Sequence, residues 1–270
     1  MRRAPRWVRA AVSCSRLPVG DAMSAQNIYD DPDFFAGYAR LPRSEQGLAA
    51  VFEWPAFQRL LPASLQDMRV LDLGCGLGYF AREARARGAR NVVGVDISER
   101  MLDQARQRSG DPDIAYVRAG LEEFAADAAS FDLVVSSLAL HYIADYPALV
   151  QRVAGWLAPG GRFAFSVEHP IYTAHGSSEW YKDADGGMLH WPVDRYRDEG
   201  ERRTHWFVDG VVKYHRTVET YVNGLLDAGL RLVRLEEPEA EDPVLLAKYP
   251  QWRDERRRPP FLLLAADRPQ

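Results

Sequence analysis

Apolar and polar residues follow two alternating patterns from Arg69 onward. Short apolar runs bounded by turn residues are typical of buried strands, and they occur at residues 69–74, 91–96, 114–120, 131–140 and 162–170. Apolar positions at helical spacing occur between several of these runs, at residues 78–88, 99–109 and 146–161. Strands joined by helices make right-handed crossovers, which predicts a doubly wound, mostly parallel α/β sheet with helices on both faces.

The C-terminal segment, residues 217–270, predicts a different connection. Its first part has the pattern of a helix, with Thr217 as the N-cap and Gly229 just after the last turn. Apolar strands follow at residues 230–238 and 260–268, with no helix pattern of comparable strength between them. We expect these two strands to pair in antiparallel fashion, which completes a seven-stranded sheet with an antiparallel C-terminal strand.

Three further segments surround this sheet. Residues 27–61 predict two or three short helices that form an N-terminal helical cap. Residues 168–216 are rich in Trp, Tyr and His and predict a substrate lid inserted after strand five, with a hairpin turn at Asp209–Gly210. Residues 1–22 carry several arginines, and we interpret them as a disordered extension. Residues 23–270 are then expected to form a single domain.

The composition limits the partners of the protein. With 38 acidic and 34 basic residues the formal net charge is −4, so we expect no nucleic-acid partner. The sequence contains no apolar run long enough to span a bilayer, and we expect no membrane partner. Neither Cys14 nor Cys75 fits a disulfide framework, which favours a cytoplasmic location. The sequence is compatible with a monomer or a homodimer.

Residues 70–80 join a strand to a helix through a glycine-rich turn. Such a turn lets a ligand approach the backbone and the free N–H groups of the helix N-terminus, which suits an anion or a ribose. The glycines stand at positions 74, 76 and 78, so the G-x-G-x-x-G fingerprint of dinucleotide-binding proteins is missed by one residue. Asp96 ends the second strand, where a carboxylate can accept hydrogen bonds from a ribose diol and would repel a 2′-phosphate.

Four segments resemble, in the same order, the motifs of class I S-adenosylmethionine-dependent methyltransferases. They are the glycine-rich turn at residues 70–80, Asp96, residues 131–143 and residues 157–166. The match extends over residues 69–167, which would form the cofactor-binding core of a Rossmann-like fold. The resemblance implies an enzyme that uses S-adenosylmethionine, releases S-adenosylhomocysteine and methylates an oxygen or nitrogen atom of a small molecule.

The resemblance also implies cofactor contacts. Asp72 would hold the amino group of the cofactor, directly or through water, and Asp96 would hold its ribose hydroxyls. Ile97 and Met101 would flank the adenine, although both residues fit equally well as core side chains. The other implied cofactor-binding residues are Gly74, Cys75, Gly76 and Gly78 in the turn, Ser137 after strand four, and Tyr29, Tyr38 and Arg43 in the cap.

Candidate catalytic residues follow strands four and five, because ligands of doubly wound sheets bind beyond the carboxyl ends of the strands. His141 and His169 are candidate bases, since histidine titrates near neutral pH. His141 is equally well interpreted as a residue that bonds to the backbone beside the cofactor. Glu168 is a third candidate; it points away from His169 on an extended chain, so we expect it to contact an acceptor amine or Arg216. The substrate-binding candidates in the lid are Tyr172, Trp206 and His215.

Other functional classes stay open on the sequence alone. An NAD-dependent oxidoreductase shares this sheet but needs the missing glycine spacing, and a non-catalytic adenosyl-cofactor-binding protein would be expected to lack a closed polar pocket. A nucleic-acid methyltransferase is less favoured, because the chain is acidic and lacks an Asn-Pro-Pro-aromatic motif after strand four. All six histidines lie within residues 141–215 without the spacing of metal ligands, so we expect no metal site.

Overall fold

The computed structural model describes residues 26–176, 179–240 and 242–270, so the predicted extension at residues 1–22 lies outside the described residues. Its strands are β1 (Arg69–Leu73), β2 (Asn91–Asp96), β3 (Ile114–Arg118), β4 (Phe131–Ser137), β5 (Leu157–Glu168), β6 (Tyr181–Lys182), β7 (Met188–His190), β8 (Gly200–Trp206), β9 (Val208–His215), β10 (Arg231–Glu236) and β11 (Phe261–Asp267). Seven of them form one sheet in the order β10-β11-β5-β4-β1-β2-β3. Six strands of this sheet run in one direction and β11 runs in the opposite direction, which confirms the predicted doubly wound fold with an antiparallel C-terminal strand.

Helices cover both faces of the sheet. They are α1 (Pro32–Ala39), α2 (Pro42–Gln46), α3 (Trp54–Leu60), α4 (Tyr79–Ala86), α5 (Glu99–Gln107), α6 (Tyr146–Trp156), α7 (Pro170–Thr173), α8 (Val218–Asp227) and α9 (Pro243–Lys248), with 3₁₀ turns at Ile28–Asp30, Leu48–Ala50, Leu140–Tyr142 and Pro250–Arg257. Successive side chains of a strand point to opposite faces. Val70 therefore packs with Phe80 in one core, while Leu71 packs with Tyr146 in the other.

Two local predictions differ from the structure. The helix predicted at residues 146–161 ends at Trp156, because Leu157 takes an extended conformation and begins β5. The lid contains the predicted hairpin, formed by β8 and β9, but the predicted turn at Asp209–Gly210 is wrong. The chain reverses at Phe207, whose φ is 62°, and Asp209–Gly210 belongs to β9.

The tip of this hairpin is placed by a contact with the cap. A Cβ atom on Gly37 of α1 would lie 2.5 Å from the Phe207 ring, so the ring packs directly on the helix backbone. Phe207 also meets the ring of Phe34 edge to face, with 5.6 Å between ring centroids. Packing against α1 therefore fixes the position of the turn more strongly than the local preference of Asp-Gly does.

The chain after the lid consists of helix α8, strands β10 and β11, and the segment that connects these two strands. Thr217 caps α8 as predicted, because its side chain accepts a hydrogen bond from the Thr220 N–H. The segment between β10 and β11 contains α9 and the 3₁₀ helix Pro250–Arg257. Within the described ranges, the protein has no helix with the length and apolar character needed to cross a bilayer.

Candidate active site

A cavity of about 630 Å³ lies at the carboxyl ends of β1, β4 and β5. The strand order reverses between β1 and β4, and this is the position where doubly wound sheets bind ligands. The volume is that of a typical small-molecule site. The predicted site residues that line the cavity are Tyr29, Tyr38, Arg43, Gly74, Gly76, Asp96, Ile97, Met101, Ser137, His141, Glu168, Tyr172 and Trp206.

The glycine loop (residues 74–78) forms one wall of this cavity. Gly74 and Gly76 take left-handed φ angles of 74° and 50°, which favour glycine. A Cβ at Gly74 would lie 2.4 Å from the Cβ of Ala139, so close packing requires glycine there. A Cβ at Gly76 would meet no protein atom within 4 Å. Gly76 therefore leaves open space at the point where a ligand can approach the backbone.

Asp96 is held rigidly beside the glycine loop. Its Oδ2 accepts a hydrogen bond of 2.8 Å from the Gly76 N–H, and its Oδ1 accepts one of 2.9 Å from the Ser98 N–H. Burial raises the pKa of the Asp96 carboxyl to about 6, although these N–H groups oppose the shift. Each oxygen keeps a lone pair that a ribose hydroxyl can use.

Asp72 lies beneath the same loop with its carboxyl group buried and 2% of the residue exposed. Its Oδ2 has no hydrogen-bond partner among the described residues. Burial, followed by the charge of Asp96, raises the pKa of Asp72 to about 8. An unpartnered buried carboxyl oxygen is costly, so a cationic group that reached it would be bound favourably.

The cap supplies aromatic rings and a cation to the opposite wall. Tyr29 meets Tyr38 edge to face with ring centroids 5.1 Å apart, and its Oη lies 3.4 Å from the Tyr142 Oη. Arg43 Nη2 donates a hydrogen bond of 3.3 Å to Ser137 Oγ at the end of β4. Burial raises the pKa of Tyr29 far above its usual value, so the phenol is neutral.

Three residues form the polar centre of the cavity beyond β4 and β5. The Glu168 N–H donates a hydrogen bond of 3.4 Å to His141 Nδ1. Lys213 Nζ donates one of 2.6 Å to Glu168 Oε1. Burial lowers the pKa of His141 to about 4, so this imidazole is neutral near pH 7. The opposite carboxylate oxygen, Glu168 Oε2, has no hydrogen-bond partner within the described part of the chain.

Glu168 is an ionised group despite its burial. Desolvation alone would raise the pKa of this carboxyl, but the Lys213 ammonium outweighs it, and the net pKa is lowered. Of the two expected partners, an acceptor amine and Arg216, the latter instead donates its Nη2 to the carbonyl groups of Ile143 and Ala144. The prediction of Arg216 as the partner of Glu168 is therefore wrong, because Lys213 of the lid hairpin takes that position.

His169 and His215 lie outside the set of described residues that line the cavity. His169 is the N-cap of α7: its Nδ1 accepts the Ile171 N–H at 3.0 Å, and its Nε2 donates to Glu237 Oε1 at 2.8 Å. Both ring nitrogens of His215 are also engaged, by Thr173 and by the carbonyl of Tyr196. Both histidines therefore stabilise the lid junction in this structure, where neither faces the cavity.

Cys75 and Gly78 support the loop from behind rather than forming the cavity wall. The Cys75 thiol is buried, and burial raises its pKa well above the usual range. A Cβ at Gly78 would lie 2.3 Å from Tyr116 Oη, so this glycine permits close packing against β3. The described residues contain no cluster of three His, Cys, Asp or Glu side chains that could hold a metal ion.

Several cavity residues were not identified from the sequence. They are Tyr142, Lys213, Tyr249, Trp252, Glu255 and Arg258. Lys213 is one of three lysines in the chain. It lies opposite strand five only because β9 of the lid hairpin carries it there. Trp252 and Arg258 come from the segment between the last two strands, for which the sequence predicted no helix pattern of comparable strength. The one available signal was that this segment leads into the buried strand β11, which begins beside the carboxyl end of β5.

Comparisons with known proteins identify the family. A family model described as a methyltransferase domain matches residues 71–165. A solved S-adenosylmethionine-dependent methyltransferase from Mesorhizobium loti is 45% identical over 82% of this chain and 100% of that chain, with a TM-score of 0.77. The chain belongs to the class I S-adenosylmethionine-dependent methyltransferase family.

Two curated relatives of this methyltransferase match very different shares of the chain. An uncharacterized protein of Haemophilus influenzae is 36% identical over 253 residues, which are 89% of this chain and 96% of that protein. The ubiquinone biosynthesis O-methyltransferase of Paracidovorax citrulli is 39% identical over 109 residues, 39% of this chain and 45% of that protein. The second match thus covers less than half of either protein.

The cofactor of this methyltransferase is S-adenosylmethionine, and the residues present fit it. The unpartnered Asp72 Oδ2 suits a cationic amino group, and the open space at Gly76 admits a ligand to the loop backbone. Asp96 stands at the end of β2 with lone pairs for a ribose diol. Membership of this family also sets aside the NAD-dependent oxidoreductase.

Proposed function

We propose that this methyltransferase methylates an oxygen or nitrogen atom of a small molecule that binds between Tyr142, Glu168 and Trp206. The unpartnered Oε2 of Glu168 carries this proposal, because it is buried in the cavity that also contains the glycine loop. A buried carboxylate oxygen without a donor is unfavourable, so it matches an O–H or N–H group of an acceptor. The name of the Paracidovorax relative supports an oxygen acceptor.

Within the proposal, the cofactor lies along the glycine loop. Asp72 binds its amino group, Asp96 binds its ribose hydroxyls, and Arg43 binds its carboxylate, since each group meets a partner of opposite charge or a hydrogen-bond donor. Tyr29 and Tyr38 present aromatic rings to the cavity, which favour a neighbouring cation. S-adenosylmethionine supplies an electrophilic methyl group when it is bound.

Glu168 has the role of orienting the acceptor. Its ionised carboxylate accepts a hydrogen bond from the acceptor O–H or N–H and thereby directs the acceptor lone pair. It can also receive the proton that the acceptor loses, although its lowered pKa makes it a weak base. Lys213 fixes the carboxylate by bonding to Oε1, which leaves Oε2 for the acceptor.

His141 has the role of a positioning residue. Because its Nδ1 accepts the Glu168 N–H, the neutral ring carries its proton on Nε2. In this tautomer Nδ1 is already occupied and cannot take a proton from the acceptor. His141 therefore holds the backbone of Glu168 at the end of β5 rather than acting as the first proton acceptor.

The cap and the lid hairpin favour a small acceptor over a polymer. Trp206 of the hairpin meets Phe34 and Tyr38 of α1 edge to face, with ring centroids 5.2 and 6.1 Å apart. These contacts join the lid hairpin to the N-terminal cap above the cavity. A covered cavity excludes water from the reacting atoms, which strengthens the electrostatic interactions inside it.

A methyl-donor assay over a panel of phenols, amines and carboxylic acids tests the proposal. Once an acceptor is found, Glu168→Gln is expected to lower kcat by about 10²-fold, because the acceptor loses its orienting carboxylate, while S-adenosylhomocysteine affinity stays unchanged. Glu123→Gln, at an exposed position outside the cavity, is the control and should match the wild type. Unchanged kcat in Glu168→Gln, or methylation of nucleic acid alone, would contradict the proposal.

A further inference from the structure

Arg258 contributes a buried cation to the cavity. It follows the 3₁₀ helix Pro250–Arg257 and precedes β11 through two prolines. The residue is 8% exposed and lies on the cavity wall together with Trp252 and Phe261. A guanidinium is always charged at physiological pH, so its burial is favourable only with partners of suitable geometry.

Aromatic rings fix the direction of this guanidinium. Its Cζ lies 4.1 Å from the ring centroid of Trp191 and 4.5 Å from that of Tyr172. These two rings stack on each other with centroids 5.2 Å apart, and Trp180 packs beside them. Stacking holds the planar group in one orientation but satisfies none of its N–H donors.

The N–H donors of Arg258 are poorly satisfied by protein groups. Its Nε and Nη1 have no hydrogen-bond partner among the described residues. Glu255 is the nearby carboxylate: its Oε2 lies 3.2 Å from Nη1 without hydrogen-bond geometry, and its Oε1 accepts a bond of 3.4 Å from Nη2. This pair is long for a charge-assisted hydrogen bond, which is normally 2.7–2.9 Å.

We propose that Arg258 binds a carboxylate of the methyl acceptor, so that the acceptor of this enzyme is a planar or aromatic carboxylic acid. The inference rests on the proposed function, because it places the acceptor in the same cavity. An acceptor carboxylate supplies the two oxygens that a guanidinium fork binds, and the aromatic walls match a flat molecular body.

The surrounding charges favour a carboxylate over a phosphate. Glu168 and Glu255 both line the acceptor side of the cavity, and Arg258 and Lys213 balance them. A singly charged group can displace the loose contact of Glu255 with Arg258. A doubly charged phosphate would meet two carboxylates and is opposed by like-charge repulsion. The carboxylate would anchor the acceptor, while a separate O–H or N–H group of the same molecule would reach Glu168.

Calorimetry with protein saturated in S-adenosylhomocysteine tests this inference. Benzoate, benzamide and phenyl phosphate are the probes, since they share a ring and differ in the charge of the attached group. We expect benzoate to bind at least tenfold more tightly than either of the other two probes. Equal affinity for benzoate and benzamide, or no binding of benzoate at millimolar concentration, would overturn the inference. Tightest binding of phenyl phosphate would also overturn the inference, because the anion site would then favour a phosphate over a carboxylate.

Three variants separate anion binding from folding. Arg258→Gln should remove the preference for benzoate over benzamide, whereas Glu255→Gln should strengthen it because a competing carboxylate is lost. Arg257→Gln is the matched control, since Arg257 also stacks on Trp180 but donates to the backbone carbonyls of Met188 and Leu189. It should keep the full preference for benzoate. A preference that persists in Arg258→Gln would overturn the inference.

The outcome is independent of the role of Glu168. Affinity of each variant for S-adenosylhomocysteine shows whether the cofactor site is intact. If the charge preference depends on Arg258 while Glu168→Gln leaves kcat unchanged, the anion site stands and the proposed role of Glu168 fails. If Glu168→Gln lowers kcat but benzoate is not preferred, the proposed function stands and the carboxylate inference fails.

Discussion

A side chain at Gly76 would obstruct a ligand, whereas a side chain at Gly74 would collide with protein atoms. Gly74 is enclosed by protein atoms, whereas a Cβ on Gly76 would enter open space at the cavity. Gly76→Ala should therefore fold, with a destabilisation of about 1–2 kcal/mol from the left-handed backbone. Its affinity for S-adenosylhomocysteine should fall at least tenfold, because the added methyl group occupies the ligand's approach to the loop.

Gly186 offers a matched control for this prediction. It lies in an exposed turn with φ of 84°, and a Cβ there would also meet no protein atom within 4 Å. Gly186→Ala has the same backbone cost but should leave S-adenosylhomocysteine affinity at the wild-type value. Calorimetry and thermal unfolding of both variants measure the two effects. Equal affinity in the two variants would show that Gly76 does not contact the cofactor.

At the end of β5, a single step along the chain decides which side chain enters the cavity. The sequence correctly indicated that Glu168 and His169 point in opposite directions, but it left both of them among the candidate catalytic residues. In the structure Glu168 lines the cavity and His169 caps α7. Alternation along a strand is readable from sequence, whereas the side that faces the ligand depends on tertiary packing.

At the scale of elements, the lid hairpin is joined to the cap by the Phe207 ring. Phe207→Ala removes the contact with the Gly37 backbone and should destabilise the protein by about 1–2 kcal/mol, less than a fully buried phenylalanine, since the ring is partly exposed. Hydrogen exchange should then increase in both β8–β9 and α1, because each element loses its cover.

Phe35 provides the comparison for that experiment. It lies on the same helix, but its ring faces Arg100, whose Cζ is 5.2 Å from the ring centroid. Phe35→Ala should increase exchange in α1 and leave β8–β9 unchanged. Unaltered exchange of the hairpin in Phe207→Ala would show that the lid is held by other contacts, such as the ion pair of Lys213 with Glu168.

The elements that sequence reasoning located well are those built from contiguous residues. The strand, glycine loop and helix at residues 69–86, together with Asp96, form one local unit whose periodicity and turn residues define it. Lys213 and Arg258 reach the same cavity through a hairpin and a C-terminal segment far along the chain. Their placement depends on long-range packing, which no local pattern encodes.

At the scale of the whole molecule, cofactor binding should change the number of bound protons. In the cofactor-free protein the pKa of Asp72 is about 8 and that of Asp96 about 6, because both carboxyls are buried. At pH 7 Asp72 is therefore mostly protonated and Asp96 mostly ionised. A cationic amino group beside Asp72 favours its carboxylate form and lowers its pKa, so binding should release a proton.

The sign of the pH dependence follows from this release. Between pH 6 and pH 7 the α-amino group of S-adenosylhomocysteine stays largely protonated, and affinity should rise with pH by close to tenfold for about one released proton. Calorimetry at pH 7 in buffers of different ionisation enthalpy measures the number directly. Asp72→Asn has the same shape without the ionisable proton, so at pH 7, where Asp96 is already mostly ionised, it should release almost none. Equal proton release by Asp72→Asn and the wild type would place the titrating group elsewhere and remove Asp72 from the amino-group site.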